Sequence, residues 1–501
     1  MNVRKGVKNI VYSILGQAIT MILGIVIPRL VIVSYGSEIN GLLNSVSQVV
    51  GYLALLEAGV GAAALQALYR PISDDNRDEI NSIVSATHHY YRKTGIIYFV
   101  ITVIMSFVYP IVIKSELDYW FVAVIVMICG IPNVINYFFQ GKLKIFLNAV
   151  GDSYILTNLQ TITSVVASVT KIGLLIVGVN VVAVQSIYCV ISLVQMAFIY
   201  VYTKRKYPWI SIDAEPNSKA LNQKNSTLVH QICMLVTNST DVLLLSVFCD
   251  LKVASIYTVY NMVFSLIYNI SNSVNGGIQF ILGNAYCKGT KYYTKINNVY
   301  ESFYLGLCAA FMAITYIMIL PFLSIYTAGA DINYIDKFIP ILFVGVEMLR
   351  AMRSSSINTI SVAGHFKQTR NFAIIESVIN LVVSLATVCW IGVYGVLIGT
   401  VAAFAYRNIV SIHYSNKQIL QRGDGFSIKV ILANITTLAI IMLVFFNIEI
   451  FVKGYFEWIV CASIVTLAAF VLFLGVNAIT SPTSFKMLFE YIKKKIKRSR
   501  K

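Results

Sequence analysis

Apolar runs long enough to cross a membrane recur along the whole of this 501-residue chain. A transmembrane α-helix needs about 20 consecutive, mainly apolar residues. Hydrophobic residues make up 57% of the chain and charged residues only 12%, whereas a soluble protein carries about 25% charged residues. The segments between the runs are too short for a soluble catalytic domain. The sequence therefore predicts an all-α polytopic membrane protein.

The apolar runs predict fourteen transmembrane helices. They lie near 9–33, 38–68, 85–113, 118–141, 155–178, 181–203, 229–249, 254–285, 297–327, 334–363, 369–391, 393–414, 428–448 and 455–479. Several of these exceed 25 residues, which indicates tilt or projection beyond the bilayer.

Lysine and arginine are distributed unequally between the two ends of these helices. With a cytoplasmic N-terminus, thirty of the 39 basic residues fall on the inner side and four on the outer side. The outer four are Lys114, Lys252, Lys337 and Lys453. This bias follows the positive-inside rule and predicts that both termini are cytoplasmic. It also explains the net charge of +17 without a nucleic-acid partner.

The chain contains two similar halves. Residues 148–166 resemble 361–379, with Gly151 opposite Gly364, and a further match places Gly178 opposite Gly392. The offset stays between 208 and 214 residues over nearly a hundred positions, which leaves an even number of helices between equivalent segments. The halves therefore have the same orientation, and we expect two six-helix lobes related by a pseudo-two-fold axis along the membrane normal.

This repeat sets the predicted domains. The N-lobe spans 1–203, a cytoplasmic linker 204–228, the C-lobe 229–416, and two further helices 417–482. A basic tail, 483–501, ends the chain. Apolar residues lie on one face of the tail among lysines, so the tail either lies on the anionic lipids of the inner leaflet or is a solvated segment that enforces topology.

Ionisable residues inside the predicted spans are the first candidates for function, because a charge in the membrane is costly unless it meets a partner or water. Arg350 and Arg353 follow Glu347 at helical spacing on one side of helix ten. The other cations in the spans are Arg29, Lys171 and Arg407, and the other acids are Glu57, Asp241 and Glu376. An excess of cations suits a phosphate-bearing substrate, because a guanidinium group binds phosphate oxygens bidentately.

Other roles for these charges stay open. Arg29, Lys171 and Arg407 can extend to the nearer membrane interface, and Glu347 with Arg350 can form a structural pair. Asn44 lies with Glu57 in a polar stripe of the hairpin 28–70, which we interpret as one wall of a polar cavity. Glu57 and Asp241 are either ion- or proton-coupling residues or structural partners between helices.

Several classes of function lack their sequence signals. The chain has no Walker A motif, no nucleophile motif and no acidic glycosyltransferase motif, and its eight cysteines are scattered without a CxxC pair. We therefore predict no metal site and no bound cofactor. Transport energy would come from an ion or substrate gradient, with Na⁺ or H⁺ as the candidate coupling ions.

Three stretches resemble a known family, and one of them is the glycine-rich GVYGVLIGTVAA (392–403), which looks like that family's twelfth helix. PR…YGSEINGLLNSV…YLALLEAGVGAA (28–63) resembles the start of oligosaccharide (Wzx-type) flippases of the multidrug/oligosaccharidyl-lipid/polysaccharide exporter superfamily. TNSTDVLLLSVFCDLKVASIYTVYNMV (237–263) is similar to that family's seventh and eighth helices, with Asp241 at the acidic position. The family's multidrug exporters have an acidic residue in helix one, where this chain has Arg29.

The resemblance implies a non-enzymatic flippase in the plasma (inner) membrane of a bacterium. Its implied substrate is undecaprenyl-pyrophosphate carrying an oligosaccharide, moved outward by alternating access for capsule, O-antigen or cell-wall polysaccharide synthesis. Arg29, Arg350 and Arg353 fit the family's pyrophosphate-binding cations. Its implied partners are a polysaccharide polymerase and glycosyltransferases. The alternatives are a peptidoglycan-precursor flippase, an ion-coupled multidrug exporter and, more remotely, a polytopic polymerase or acyltransferase.

Overall fold

A computed structural model describes residues 23–53, 60–212, 214–217, 233, 239–286 and 288–487 of the chain. The regular structure in these ranges is helical. The α-helices are α1 Leu23–Tyr35, α2 Ser37–Leu53, α3 Val60–Ser73, α4 Arg77–Val112, α5 Tyr119–Ile135, α6 Gly141–Ala149, α7 Ser153–Val177, α8 Val181–Lys206, α9 Ser239–Phe248, α10 Leu251–Tyr286, α11 Thr290–Tyr326, α12 Ile339–Met352, α13 Ser354–Val362, α14 Phe366–Ile391, α15 Val393–Tyr414, α16 Gly425–Phe445 and α17 Tyr455–Thr480.

Within the described ranges, ten helical stretches are long and apolar enough to cross a membrane. The helices α1 and α9 are shorter and apolar, and each adjoins residues outside the description. Large apolar side chains are exposed on the outer helices, for example Ile104 on α4 and Leu467 on α17. Such surfaces are stable only in lipid. The predicted all-α polytopic membrane fold is confirmed.

Two predicted helices differ from the structure in detail, and a third is described only in part. The predicted helix 38–68 comprises α2 and α3, and the residues between them, including Glu57, lie outside the description. The predicted helix 118–141 continues through a π-helix, Asn136–Gln140, into α6. The predicted helix 334–363 breaks at Arg353, between α12 and α13.

The break at Arg353 has a local cause. Three serines follow it in sequence, and the Ser354 Oγ atom donates to the Arg350 carbonyl at 3.2 Å. Serine side chains that bond to a carbonyl one turn earlier compete with the helical hydrogen bonds and bend the helix. Arg353 consequently occupies the joint between two helices.

The contacts divide the chain into two compact units. The first comprises Met1–Ile256 with Ala330–Ile332, and the second Tyr257–Gly329 with Asn333–Lys501. The helix α9 belongs to the first of these units. The predicted domain boundaries remain predictions.

The repeat is visible in the backbone of each unit. After α6, the Asp152 amide donates to the Leu147 carbonyl at 2.9 Å. After α13, the His365 amide donates to the Ile360 carbonyl at 3.1 Å, in the same pattern. Both turns share an offset of 213 residues, so equivalent positions of the two halves can be compared directly.

Close packing in the second unit fixes the helices that carry the candidate site. The rings of Phe264 on α10 and Phe343 on α12 are stacked, with centroids 4.9 Å apart. The helices α14 and α15 approach through Gly399, because a Cβ atom there would lie 2.1 Å from the Ser384 Oγ atom. Small residues allow this approach of helix backbones in a membrane.

Candidate functional site: a guanidinium cluster in the second unit

Five of the ten predicted site residues come together in the second unit. Glu347 and Arg350 lie on α12, and Arg353 lies at its C-terminal end. Glu376 on α14 and Arg407 on α15 complete the group. We call these five residues the guanidinium cluster. The i, i+3 spacing on α12 places its members on one side, as the sequence predicts.

The cluster is held by ion pairs. The Arg350 Nη1 atom lies 3.4 Å from the Glu347 Oε1 atom. Arg353 donates from Nη1 to the Glu376 Oε1 atom, and the Arg407 Nε atom lies 3.8 Å from the Glu376 Oε2 atom. Three guanidinium groups therefore share two carboxylates, and the cluster carries a net charge of +1 when all five groups are ionised.

Exposure differs among the members. The Arg350 side chain is 22% exposed, whereas the Glu347 side chain is 8% exposed. The side chains of Arg353, Glu376 and Arg407 are also nearly buried. Arg350 is thus the cation of the cluster that an incoming anion can reach first.

Aromatic rings surround the guanidinium groups. Phe404 is fully buried on α15, with the Cζ atom of Arg353 at 4.1 Å and that of Arg350 at 5.4 Å from its ring centroid. Arg350 also lies 4.4 Å from the ring centroid of Tyr268 on α10. Cation–π contacts of this kind stabilise a guanidinium group away from bulk water. The sequence pattern does not single out either ring, although Phe404 lies one turn before Arg407.

The other predicted residues lie in the first unit or outside the description. The Asn44 Nδ2 atom donates to the Asn40 carbonyl at 2.8 Å within α2. The Lys171 Nζ atom donates to the Gln185 Oε1 atom at 3.2 Å and lies over the Tyr188 ring. Asp241 is buried on α9, and Arg29 is partly buried on α1.

An apolar groove lies in the second unit between α10, α11 and α17. Its volume is about 640 Å³. Ile278, Phe303 and Phe473 are among its lining residues, with Lys288 and Tyr292 also in the lining. The groove could not be predicted from the sequence, because hydropathy does not distinguish apolar side chains that face a groove from those that face lipid. The groove can accommodate an apolar chain.

The described residues include no group of three or more His, Cys, Asp or Glu side chains placed to hold a metal ion. The three arginines of the guanidinium cluster can recognise an anion by fixed positive charge and hydrogen-bond donors. The coupling ion remains a prediction.

Comparisons with known proteins identify the fold. No protein-family model matches the chain, and no curated protein matches it. A solved structure of the lipid II flippase MurJ, in an inward closed conformation, matches with a TM-score of 0.71 and 15% identity, covering 94% of this chain and 99% of that one. An inward-facing multidrug resistance MATE family transporter of the MOP superfamily matches with a TM-score of 0.58 and 13% identity, covering 81% and 98%. At these identities the similarity establishes the fold alone, which is the all-helical fold of these two solved structures.

Proposed function

We propose that this protein moves an undecaprenyl-pyrophosphate-linked oligosaccharide from the inner to the outer leaflet by alternating access. It would work in the plasma membrane of a bacterium and supply capsule, O-antigen or other cell-wall polysaccharide synthesis. The observation that carries this proposal is the guanidinium cluster, which holds three nearly buried arginines close together within one helical unit.

Charged groups cost several kcal/mol to bury, so the gathering of five ionisable side chains in one nearly buried cluster favours a role in binding a ligand. Phosphate is the ligand group that suits several convergent arginines best.

The apolar groove supplies the second feature that a lipid-linked substrate needs. A polyprenyl chain gains free energy from every apolar surface that it covers, at about 25 cal/mol per Å². The groove and the guanidinium cluster lie in the same unit, with Tyr304 lining both the groove and a small cavity beside Glu347 and Arg350. One unit can therefore contact both the pyrophosphate and the start of the lipid chain.

A second candidate function is transport of the peptidoglycan lipid precursor. The match to the lipid II flippase MurJ favours it, and the precursor's pyrophosphate would suit the same cluster. Export of cationic drugs is disfavoured, because the cluster's net positive charge repels cations. The sugar distinguishes the first two candidates, so complementation of strains lacking either flippase separates them.

The headgroup role can be tested with purified protein in liposomes that contain the lipid-linked oligosaccharide. An enzyme that modifies the sugar is added outside, and its product reports transport. We expect Arg350→Gln to slow transport about tenfold, which corresponds to the loss of a charged hydrogen bond. Arg350 is the variant of choice because its ion pair is the more exposed one.

Arg70→Gln is the matched control, because the Arg70 side chain is 93% exposed at the end of α3. We expect it to transport at the rate of the unmodified protein. Equal rates for Arg350→Gln and Arg70→Gln, at equal amounts of folded protein, would remove the proposed role of the cluster.

A further inference from the structure

Glu347 occupies an unusual position in the guanidinium cluster. Its side chain is 8% exposed. It lines a small cavity, and the other lining residues include Arg350 of α12, Ser354 of α13, Tyr268 of α10 and Tyr304 of α11. That cavity has a volume of about 10 Å³, which is at the lower limit for one water molecule. Glu347 thus depends on its protein neighbours, not on bulk water, for stabilisation of its charge.

The two carboxylates of the cluster are held differently. Glu376 lies within ion-pair distance of both Arg353 and Arg407. Glu347 has one ion pair within 4.0 Å in the described part of the chain, the 3.4 Å contact to Arg350. If an anionic ligand binds Arg350 in place of Glu347, Glu376 keeps its ion pairs with Arg353 and Arg407. Glu347, in contrast, loses its ion pair with the nearest positive charge.

The groups around Glu347 determine whether its carboxylate stays ionised once the ion pair with Arg350 is broken. The titratable and charged groups that face it are Arg350 and Arg353 from its own element, Tyr268 from α10, and Tyr304 and Cys308 from α11. Arg353 is already bonded to Glu376. A buried carboxylate without a paired cation is strongly unfavourable and is relieved by protonation.

Charge balance points in the same direction. With five ionised groups the cluster carries +1, and protonation of one carboxylate raises this to +2. A pyrophosphate diester, the linkage between a polyprenyl chain and a sugar, carries two negative charges at neutral pH. The protonated cluster therefore matches the substrate's charge, whereas the fully ionised cluster leaves one negative charge uncompensated.

We propose that Glu347 takes up one proton when the substrate's phosphate binds Arg350, and that it releases this proton when the phosphate leaves. The proton comes from solvent and forms an O–H bond on the Glu347 carboxylate, while the Arg350 guanidinium exchanges its carboxylate partner for a phosphate oxygen. Glu347 is thus a positioning and proton-binding residue for the proposed transport. This inference rests on the proposed function, and it predicts that acid strengthens substrate binding.

The first experiment measures proton uptake during binding. The probe is farnesyl-pyrophosphoryl-N-acetylglucosamine, a short pyrophosphate diester that has no group titrating near neutral pH. Calorimetric titrations in buffers of different ionisation enthalpy give the number of protons bound per ligand. We expect an uptake of about one proton for the unmodified protein, in line with linkage between ligand and proton binding.

Glu347→Gln should bind the probe with no proton uptake. The control Glu449→Gln should retain full uptake, because the Glu449 side chain is 57% exposed and pairs with Lys337, and neither residue belongs to the guanidinium cluster. Undiminished uptake in Glu347→Gln would overturn the inference. So would binding by the unmodified protein without uptake.

A second experiment needs no ligand. Arg350→Gln removes the partner of Glu347 permanently, so infrared spectra at neutral pH should show a protonated-carboxyl band that the unmodified protein lacks. The band should be absent from the double variant Arg350→Gln/Glu347→Gln. If it is missing from the single variant, or persists in the double variant, Glu347 is not the proton acceptor.

The two experiments separate this inference from the proposed function. Failure of the unmodified protein to bind the pyrophosphate probe would count against the proposed substrate, while the infrared comparison would still decide the role of Glu347. Binding and transport without proton uptake would leave the proposed function intact and remove the inference alone.

Discussion

Gly41 on α2 lies directly against the carbonyl oxygen of Leu251, the first residue of α10. A Cβ atom on Gly41 would be 1.9 Å from that oxygen, far inside van der Waals contact. Hydrogen bonds lie on either side of this approach, from Asn40 Nδ2 to Ser255 Oγ at 2.8 Å and between the Ser45 and Ser246 hydroxyls at 2.7 Å. Small and polar residues of α2 therefore join this helix to α9 and α10.

We expect Gly41→Ala to lower the free energy of unfolding by about 1–3 kcal/mol, because the added methyl group must displace backbone atoms. Gly51→Ala on the same helix is the control, since a Cβ atom there meets nothing within 4 Å. That substitution should be neutral or stabilise by up to about 1 kcal/mol. Thermal unfolding of the two variants in one detergent measures the difference, and equal midpoints would contradict the packing described.

Gly364 ends α13 with a left-handed backbone, φ +73°, as Gly151 does after α6 with φ +81°. An L-residue in this conformation costs roughly 1–2 kcal/mol. We expect Gly364→Ala to destabilise the protein by about that amount, although a Cβ atom there meets no neighbour within 4 Å. Gly173→Ala, within α7 and equally unobstructed, should show no such loss in the same unfolding experiment.

The features predicted correctly from the sequence are those that depend on residues close together in the chain. Hydropathy predicts membrane spans because each span must satisfy its own backbone in lipid. The paired glycines Gly151 and Gly364 were found as a repeat, and both have the positive φ that favours glycine. The spacing of Glu347 and Arg350 likewise predicted their shared side of one helix.

Contacts between helices were not predictable in the same way. The ion pairs of Arg353 and Arg407 with Glu376 join three helices. Neither the composition of the chain nor the spacing of its residues predicts which faces of these helices pack against one another. For the same reason the sequence did not predict the role of Phe404, because its contacts with the guanidinium groups of Arg350 and Arg353 depend on the packing of α12 against α15. The break between α12 and α13 at Arg353 was also not predicted, because the apolar run in the sequence continues across it.

Asn434 on α16 and Asn477 on α17 form a reciprocal pair of amide hydrogen bonds, 3.1 and 3.0 Å long. Both side chains are buried, and Gly306 on α11 leaves room for Asn477. Replacing one partner leaves a buried amide unsatisfied, at a cost of about 1–3 kcal/mol. We expect Asn434→Leu and Asn477→Leu each to destabilise by this amount.

The double variant Asn434→Leu/Asn477→Leu should lose less than the two single losses added together, because neither amide is then left unpaired. Chemical or thermal unfolding of the four proteins gives this coupling. Strict additivity would show that the two amides do not stabilise one another.

Asp424, in the turn before α16, accepts hydrogen bonds from His413 at 2.9 Å and Asn416 at 3.0 Å. Partial burial would raise the pKa of Asp424, but the hydrogen bonds and charges of these partners and Arg422 hold the pKa below its ordinary value. A lowered pKa in the folded state stabilises the protein above about pH 4 and loses that effect as the pH falls further. We expect Asp424→Asn to lower stability by about 1 kcal/mol or less at pH 7, with the difference vanishing near pH 3. A constant difference between the two pH values would contradict this assignment.

Arg422 anchors the same turn to α11. Its Nη2 atom lies 3.1 Å from the Glu301 Oε2 atom, and its Nε atom donates to Asn416 at 2.7 Å. Glu301 is 6% exposed, so Arg422→Gln leaves a buried carboxylate without its cation, at a cost of about 3–5 kcal/mol. The double variant Arg422→Gln/Glu301→Gln removes both charges and should recover most of that loss. Lys337→Gln, which breaks the exposed pair with Glu449, should cost about 1 kcal/mol or less. If the single and double variants at Arg422 unfold at the same temperature, the cost arises from lost packing of the arginine, not from the stranded charge.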